Sequence, residues 1–273
     1  MNEQQLERAT RFRKLHESGT FSIANAWDGG SAKILQATGF RALATSSGAA
    51  AATLGRHDGR ISLDEALAHA KVICAATTLP VSADLEKGFA DSPADVANTI
   101  RLAADVGLVG GSIEDFTGNE DDPIFDLGVA TERIAAAAEA ARGLPFPFTL
   151  TARAENFLHK RHDLDDTIRR LQAYEKAGAD VLFAPALPDL AAIRRVCASL
   201  TRPVNFMVAV PKRMFSVAEL AQAGVRRISY ATTLYRAAMA GLVGAAREIH
   251  DAGTFGYIDR AMPSGDLAKL LEE

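Results

Sequence analysis

Cysteine is nearly absent from this chain: Cys74 and Cys197 are the only two in 273 residues. They are far apart and lie in alanine-rich helical pattern, which excludes a disulfide framework or a thiolate metal motif. Both are expected to be buried structural thiols. No apolar run approaches the roughly 20 residues needed to span a bilayer. The polar stretch from Met1 to Lys14 has no apolar signal region, so a cytoplasmic location is expected. A basic stripe is missing as well. Thirty Lys and Arg against 34 Asp and Glu give a net charge of −4, and the positive residues are scattered among acids on helical stretches. That pattern excludes nucleic acid and membrane surfaces as partners. Histidine forms no cluster: His57, His159 and His162 fall in loops and read as surface residues.

What is present is apolar and periodic. Hydrophobic residues make up 48% of the chain, enough for a large core in a single domain spanning 1–273. One unit recurs: a short apolar run, a polar loop, then an alanine-rich helical stretch. The runs are Phe21–Ala26, Ala42–Ser46, Pro80–Asp84, Gly111–Asp115, Phe148–Ala152, Val181–Ala184, Val204–Ala209 and Arg227–Tyr230. Continuous rather than alternating apolarity marks strands covered on both faces, as in a parallel sheet. Capping signals open the helices between them. Ser62-Leu-Asp-Glu65 and Ser216-Val-Ala-Glu219 read as capping boxes, Asp163-Leu-Asp-Asp166 repeats the logic, and Ser92-Pro93 sets a cap before a first-turn proline. Gly39, Gly107, Gly143, Gly178 and Gly224 stand where helices should end.

Eight such units predict an α/β fold, a (β/α)8 TIM barrel. A helix over Gln4–Glu17 is expected to cap the barrel's bottom. Residues 251–273 are expected to form a helical extension that packs on a neighbouring subunit.

Catalytic groups in such barrels stand at the C-terminal ends of strands. There the sequence places Asn25 and Trp27, then Ser46, Ser47 and Gly48, then Asp58. Further on come Asp84 and Glu86, Glu114, Arg153 and Glu155, Asn205, Tyr230 and Arg236. Asp84 and Glu114 end apolar strands, where an unpaired carboxylate is costly. Converging acids raise one another's pKa unless a cation neutralises them. With oxygen ligands and no His or Cys cluster, Mg²⁺ or Mn²⁺ is the natural cation. Asp84, Asp58, Glu114 and Glu86 are therefore the candidate metal residues. Arg153 offers a planar fork for an anionic group, and Ser46–Gly48 offer donors for a carboxylate or oxyanion. Asn25, Trp27 and Asn205 complete the candidate substrate-binding set; Arg153, Glu155 and Tyr230 are the candidate catalytic groups. No strand carries a lysine, which disfavours a Schiff-base aldolase.

These positions resemble the isocitrate lyase/phosphoenolpyruvate mutase superfamily. The resemblance runs from Asn25-Ala-Trp-Asp through Thr45-Ser-Ser-Gly48, Leu-Gly-Arg-His-Asp58, Val-Ser-Ala-Asp84 with Gly88-Phe89, Ser-Ile-Glu114-Asp115 and Thr-Ala-Arg153-Ala-Glu155 to Arg236. It implies a Mg²⁺-dependent enzyme that makes or breaks C–C or P–C bonds in small 2-oxo or 2-hydroxy acids through an enolate held on the metal. Asp84 would bind metal directly, with Asp58 and Glu114 acting through water. Ser46, Ser47 and Gly48 would hold the substrate carboxylate and Arg153 its other anionic group. The resemblance also implies a homo-oligomer, dimer or tetramer, with the last barrel helix exchanged between neighbours.

Two departures qualify it. The strand-three motif of the superfamily is Asp-x-Asp, and here Ser82 takes the first place, with Glu86 a substitute for the lost charge. The loop after Glu114 lacks the cysteine segment of isocitrate and methylisocitrate lyases, and Asn119 is its sole match to the mutase loop. The expected activity is a C–C lyase or decarboxylase on a small 2-oxo acid. The alternatives are phosphonopyruvate-type P–C chemistry and a 2-oxo-acid-binding protein without catalysis.

Overall fold

Each apolar run is buried on both faces, and the eight close into a barrel. In the computed structural model, which describes residues 3–209 and 214–272, the strands are all parallel and ordered as in the chain, the eighth pairing with the first. They are β1 (Phe21–Asn25), β2 (Leu43–Ala44), β3 (Val81–Asp84), β4 (Gly110–Glu114), β5 (Thr149–Arg153), β6 (Val181–Phe183), β7 (Val204–Met207) and β8 (Arg227–Ser229). The helices are α1 (Glu3–Leu15), α2 (Gly29–Ala37), α3 (Ser47–Thr53), α4 (Leu63–Ala76), α5 (Pro93–Asp105), α6 (Leu127–Arg142), α7 (Leu164–Ala177), α8 (Leu190–Ala198), α9 (Val217–Gln222), α10 (Thr233–Arg247) and α11 (Ser264–Leu270). The expected (β/α)8 barrel is thus present. Its strands are shorter than the apolar runs, β2 most of all. The short helix α3, directly after β2, was not expected.

Local signals act as the sequence indicates. Ser62 and Ser216 form reciprocal capping boxes with Glu65 and Glu219. Ser92 caps α5 with Pro93 in its first turn. Asp163 caps α7 from one side only, accepting from the Asp166 N–H. Gly178 ends α7 with φ of 110°, a left-handed conformation that only glycine adopts without strain. Gly143 differs: it closes α6 in right-handed conformation at φ −75°, so its glycine is not required by the backbone.

Helix α1 closes the N-terminal end of the barrel as expected. Phe12 is fully buried against the bare Cα of Gly110, where a Cβ would lie 2.9 Å from the Phe12 ring and from the Thr149 carbonyl. His16 continues the plug, edge-on to both Phe12 and Phe21. Its ring is lowered to about 3, chiefly by burial, so it is neutral packing. Cys74 is buried as expected and Cys197 half-buried; burial raises both thiols, to about 12 and about 11, which leaves them unreactive.

Beyond β8 the character changes. No residue is buried in α10, in the π-helical turn Glu248–Ala252, in the 3-10 turn Gly256–Arg260 or in α11. Leu242, Phe255 and Ile258 are each about 60% exposed. Among the described residues no helix is long and apolar enough to cross a membrane.

Gly110→Ala should cost roughly 1–3 kcal/mol by overpacking, and less in a Phe12→Ala background where the ring is gone. Urea unfolding of the two single variants and the double variant measures the coupling; strictly additive losses would contradict the plug.

Candidate active site

Side chains alternate along a strand, so parity decides what reaches the barrel's interior. Ile23 and Asn25 of β1, Ser82 and Asp84 of β3, and Arg227 and Ser229 of β8 line a cavity of about 330 Å³ at the C-terminal end. A larger hollow, about 800 Å³, opens at the opposite end beside Arg13, Arg142 and Arg202. It holds none of the candidate residues, and that face of a (β/α)8 barrel serves stability.

The smaller cavity is organised by Arg153 at the end of β5. Its three nitrogens reach three carboxylates: Nη1 to Asp84 Oδ1 at 2.8 Å, Nη2 to Glu114 Oε2 at 3.1 Å, and Nε to Glu155 Oε1 at 2.8 Å. Burial alone would lower the guanidinium, but the charges of Glu155, Glu114 and Asp84 more than offset it and raise it well above its ordinary value. Burial raises Glu114 far above the usual carboxylate range, with Glu155, Asp84 and Glu86 adding to the effect. Glu155, only 1% exposed, stands behind Arg153. Its backbone N–H donates to Asp115 at 2.8 Å, and Asp115 in turn accepts from Tyr174 at 2.6 Å and Arg170 at 3.3 Å. Glu155 therefore orients Arg153 and does not line the cavity, contrary to its expected place among catalytic groups.

Asp84 is the junction. Oδ2 accepts from the Ser47 hydroxyl at 3.0 Å and its N–H at 3.3 Å, while Oδ1 accepts from the Glu86 N–H at 3.3 Å. The donors of Ser47 are thus engaged by a protein carboxylate. Ser46 caps α3 through the Ala49 N–H. Asp58 stands on an exposed loop with its carboxylate turned inward: a Cβ on Gly48 would lie 3.0 Å from Asp58 Oδ2 and from Thr232 Cγ2. A Cβ there would push the carboxylate or the Thr232 methyl aside by a few tenths of an ångström. Burial of that carboxylate, and the charge of Asp84, raise Asp58.

The acid-x-acid spacing is present at Asp84-Leu85-Glu86. Ser82 lies one inner position lower on β3 and also lines the cavity. Glu86 adopts φ of 49°, a strained conformation of the sort kept at functional sites. Its Oε1 is buried without a hydrogen-bond donor. Burial, then the charges of Asp84 and Asp58, push it up to about 7. Glu86 thus sets a second carboxylate beside Asp84, at the position expected to substitute for the charge missing at Ser82.

These residues fit a hard divalent cation: the donors are all oxygen, the acids crowd one another, and one buried carboxylate oxygen is orphaned. Among the described residues, no three His, Cys, Asp or Glu side chains form a ready-made metal cage, because Arg153 already gathers the acids.

Other candidates fare differently. Asn25 and Asn205 both line the cavity, but Asn25 donates to the Thr45 carbonyl and accepts from the Tyr230 N–H. Asn205 accepts from Arg227 at 2.8 Å. Tyr230, expected among the catalytic groups, does not line the cavity. Its hydroxyl bonds Ser22 at 2.7 Å, beside a shallow hollow at Thr38–Arg41 and away from the cavity. Trp27 likewise misses the cavity and packs edge-on to Tyr235. Asn119 is tied up in an exposed turn with Thr117 and Asp121. Arg227 was not foreseen: it crosses the barrel interior, 5% exposed, on Asn205, Thr151 and His16. The only signal was a basic residue inside an inward-parity run.

Fold and acidic cavity together define an enzyme of the lyase or mutase type. The family model of phosphoenolpyruvate phosphomutase matches residues 12–250, and the chain belongs to that family, within the isocitrate lyase/phosphoenolpyruvate mutase superfamily. It is 30% identical to the 2-methylisocitrate lyase of Shewanella oneidensis, over 96% of this chain and 92% of that enzyme. Among solved structures, a provisional lyase/mutase from Burkholderia cenocepacia J2315 is 49% identical with a TM-score of 0.97, covering 100% of this chain and 98% of its own. A 2,3-dimethylmalate lyase is 25% identical with a TM-score of 0.87, over 97% and 95% of the two chains.

Arg153→Met should lose roughly 3–5 kcal/mol, because buried carboxylates are left uncompensated; chemical denaturation measures it. Glu86 sets a pH dependence. Raised from 4.5 to about 7, it holds a proton in the folded state that the unfolded chain has lost, so stability falls as pH rises through that window. In chelator, Glu86→Gln should abolish this component, on the order of 2 kcal/mol by pH 8. Melting curves from pH 4 to 8 read it, and an unchanged slope contradicts the assignment.

Proposed function

We propose that the chain is a Mg²⁺- or Mn²⁺-dependent lyase that cleaves a C–C bond, or decarboxylates, in a small 2-oxo or 2-hydroxy acid. The single observation that carries this is the oxygen-only acidic set at one side of the cavity: Asp58 and Asp84 line it, and Glu86, in a small hollow beside Asp84, keeps Oε1 buried and undonated. Asp84 would hold the cation directly, with Asp58, Glu86 and Glu114 around it. The cation, when bound, supplies Lewis-acid polarisation of the 2-oxo group. The protein's part is to bind and orient. In the first turn of α3, Ser47 donates to Asp84 and Ala49 to Ser46, which leaves the Gly48 N–H for the substrate carboxylate. Arg153, with each nitrogen on a carboxylate, fixes Asp84 and Glu114 in place. Phosphorus–carbon chemistry is the second reading and rests on the family match.

The exposed apolar surface of α10 and of residues 251–273 supports an oligomer in which these elements pack on a neighbour, the last barrel helix being exchanged between subunits.

Turnover of oxaloacetate, 2-methylisocitrate, 2,3-dimethylmalate and phosphonopyruvate, assayed by NMR with and without Mg²⁺, tests the proposal. Metal-dependent C–C cleavage of one acid is expected, lost by at least a hundredfold in Asp84→Asn. Phosphate release from phosphonopyruvate would favour the second reading, and no turnover of any acid sinks both. In sedimentation velocity the wild type should run as an oligomer and Leu242→Glu/Phe255→Glu as a smaller species.

A further inference from the structure

The hollow at the N-terminal end of the barrel carries none of the residues assigned to the reaction, yet its charges are set as in a binding site. It encloses about 800 Å³, within the roughly 300–1,000 Å³ over which proteins hold small molecules. Arg13 enters it from the last turn of α1, Arg142 from the end of α6 and Arg202 from the turn before β7. All three act on one carboxylate. Burial raises Asp180, and the Leu150 N–H and the charges of Arg202, Arg142 and Arg13 oppose the rise. Asp180 is itself committed to the fold, since Oδ2 accepts from the Leu150 N–H at 2.9 Å. Among the described residues none of the three guanidiniums makes a contact ion pair or a hydrogen bond. Glu17 lines the hollow too, and buried His16 is neutral, so three cations face two acids. Helix ends suit Arg13 and Arg142, but that does not explain why both share one acid with Arg202. Cations drawn together without partners cost stability, and a cleft lined by one sign of charge concentrates counter-ions. Gly178 makes the room: at φ 110°, a Cβ there would lie 2.5 Å from Arg142 Nη1. Leu144, Pro145, Phe146 and Pro147 supply an apolar flank.

We propose that this hollow binds a phosphorylated small molecule of nucleotide size, its phosphates taken by Arg13, Arg142 and Arg202 and its organic part laid against the Leu144–Pro147 flank. Guanidinium forks match phosphate oxygens two at a time. Several forks converging on one place favour a group with more than one charge on adjacent oxygens over a single carboxylate. The hollow is larger than an inorganic ion fills, and its apolar flank serves only a ligand with an organic part. Because it opens at the end opposite the acidic cavity, the site stands apart from the 2-oxo-acid reading and does not compete with metal or acid substrate.

Calorimetric titration of the full-length protein in chelator, so that no cation at the acidic cavity attracts the probe, tests the proposal. ATP should bind at one site per chain, AMP more weakly and adenosine not measurably. Arg142→Gln/Arg202→Gln, with its fold checked by melting, should weaken ATP by about tenfold or more. Asp84→Asn, at the other end of the barrel, should bind ATP as the wild type does. No ATP binding, full binding in the double variant, or loss of binding in Asp84→Asn overturns the proposal and leaves the 2-oxo-acid reading untouched. Tripolyphosphate or citrate binding as tightly as ATP also overturns it, because the hollow would then collect an adventitious ion only. If the double variant does not fold, the exposed single variants Arg13→Gln and Arg202→Gln decide, each expected to weaken ATP severalfold.

Discussion

One guanidinium surrounded by three carboxylates holds the upper end of this barrel together. Arg153 joins the ends of β3, β4 and β5 through Asp84, Glu114 and Glu155, at a depth where none of the four charges would be stable alone. The arrangement is supported from behind. Asp115, fixed by Tyr174 and Arg170 of α7, holds the Glu155 backbone. From the front, Ser47 of α3 holds Asp84. Four consecutive β/α units, from the loop after β2 to α7, are thereby committed to one electrostatic junction.

That junction divides the cavity. The acids crowd one side, where Asp58 and Asp84 line the cavity, and two of them, Asp58 and Glu86, lack an ion-pair partner among the described residues. Crowded oxygen donors of this type suit a hard cation and repel a free anion. Opposite them, the amides and arginines of β7, β8 and α10 suit an anion. A ligand that chelates at one end and carries negative charge at the other meets complementary chemistry at both. This fits the small acids named for relatives of the chain, the 2-methylisocitrate and 2,3-dimethylmalate lyases.

Much of this was legible from residue order. The eight runs, the capping boxes at Ser62 and Ser216 and the bottom helix follow from local chemistry, and Asp84 and Glu114 announce themselves by ending apolar strands. Parity was the neglected signal. On β8, Arg227 and Ser229 point inward, so Tyr230, one residue on, must point out, and it bonds Ser22 there. On β3, Ser82 and Asp84 point inward, and Glu86, two residues beyond in the following turn, supplies the second acid that reading back from Asp84 to Ser82 had missed. Other features were not legible by any local rule. The engagement of Arg153 by three acids, and of Ser47 by Asp84, depends on strands brought together from across 100 residues of sequence.

The central claim is that this acidic wall holds a divalent cation through Asp84. Titration of metal-free protein with Mn²⁺, followed by electron paramagnetic resonance, tests it most directly. One Mn²⁺ should bind per chain, more tightly with oxalate present, and Asp84→Asn should lose that binding while its melting profile remains that of a folded barrel. A folded Asp84→Asn that binds Mn²⁺ and oxalate as the wild type does would contradict the account.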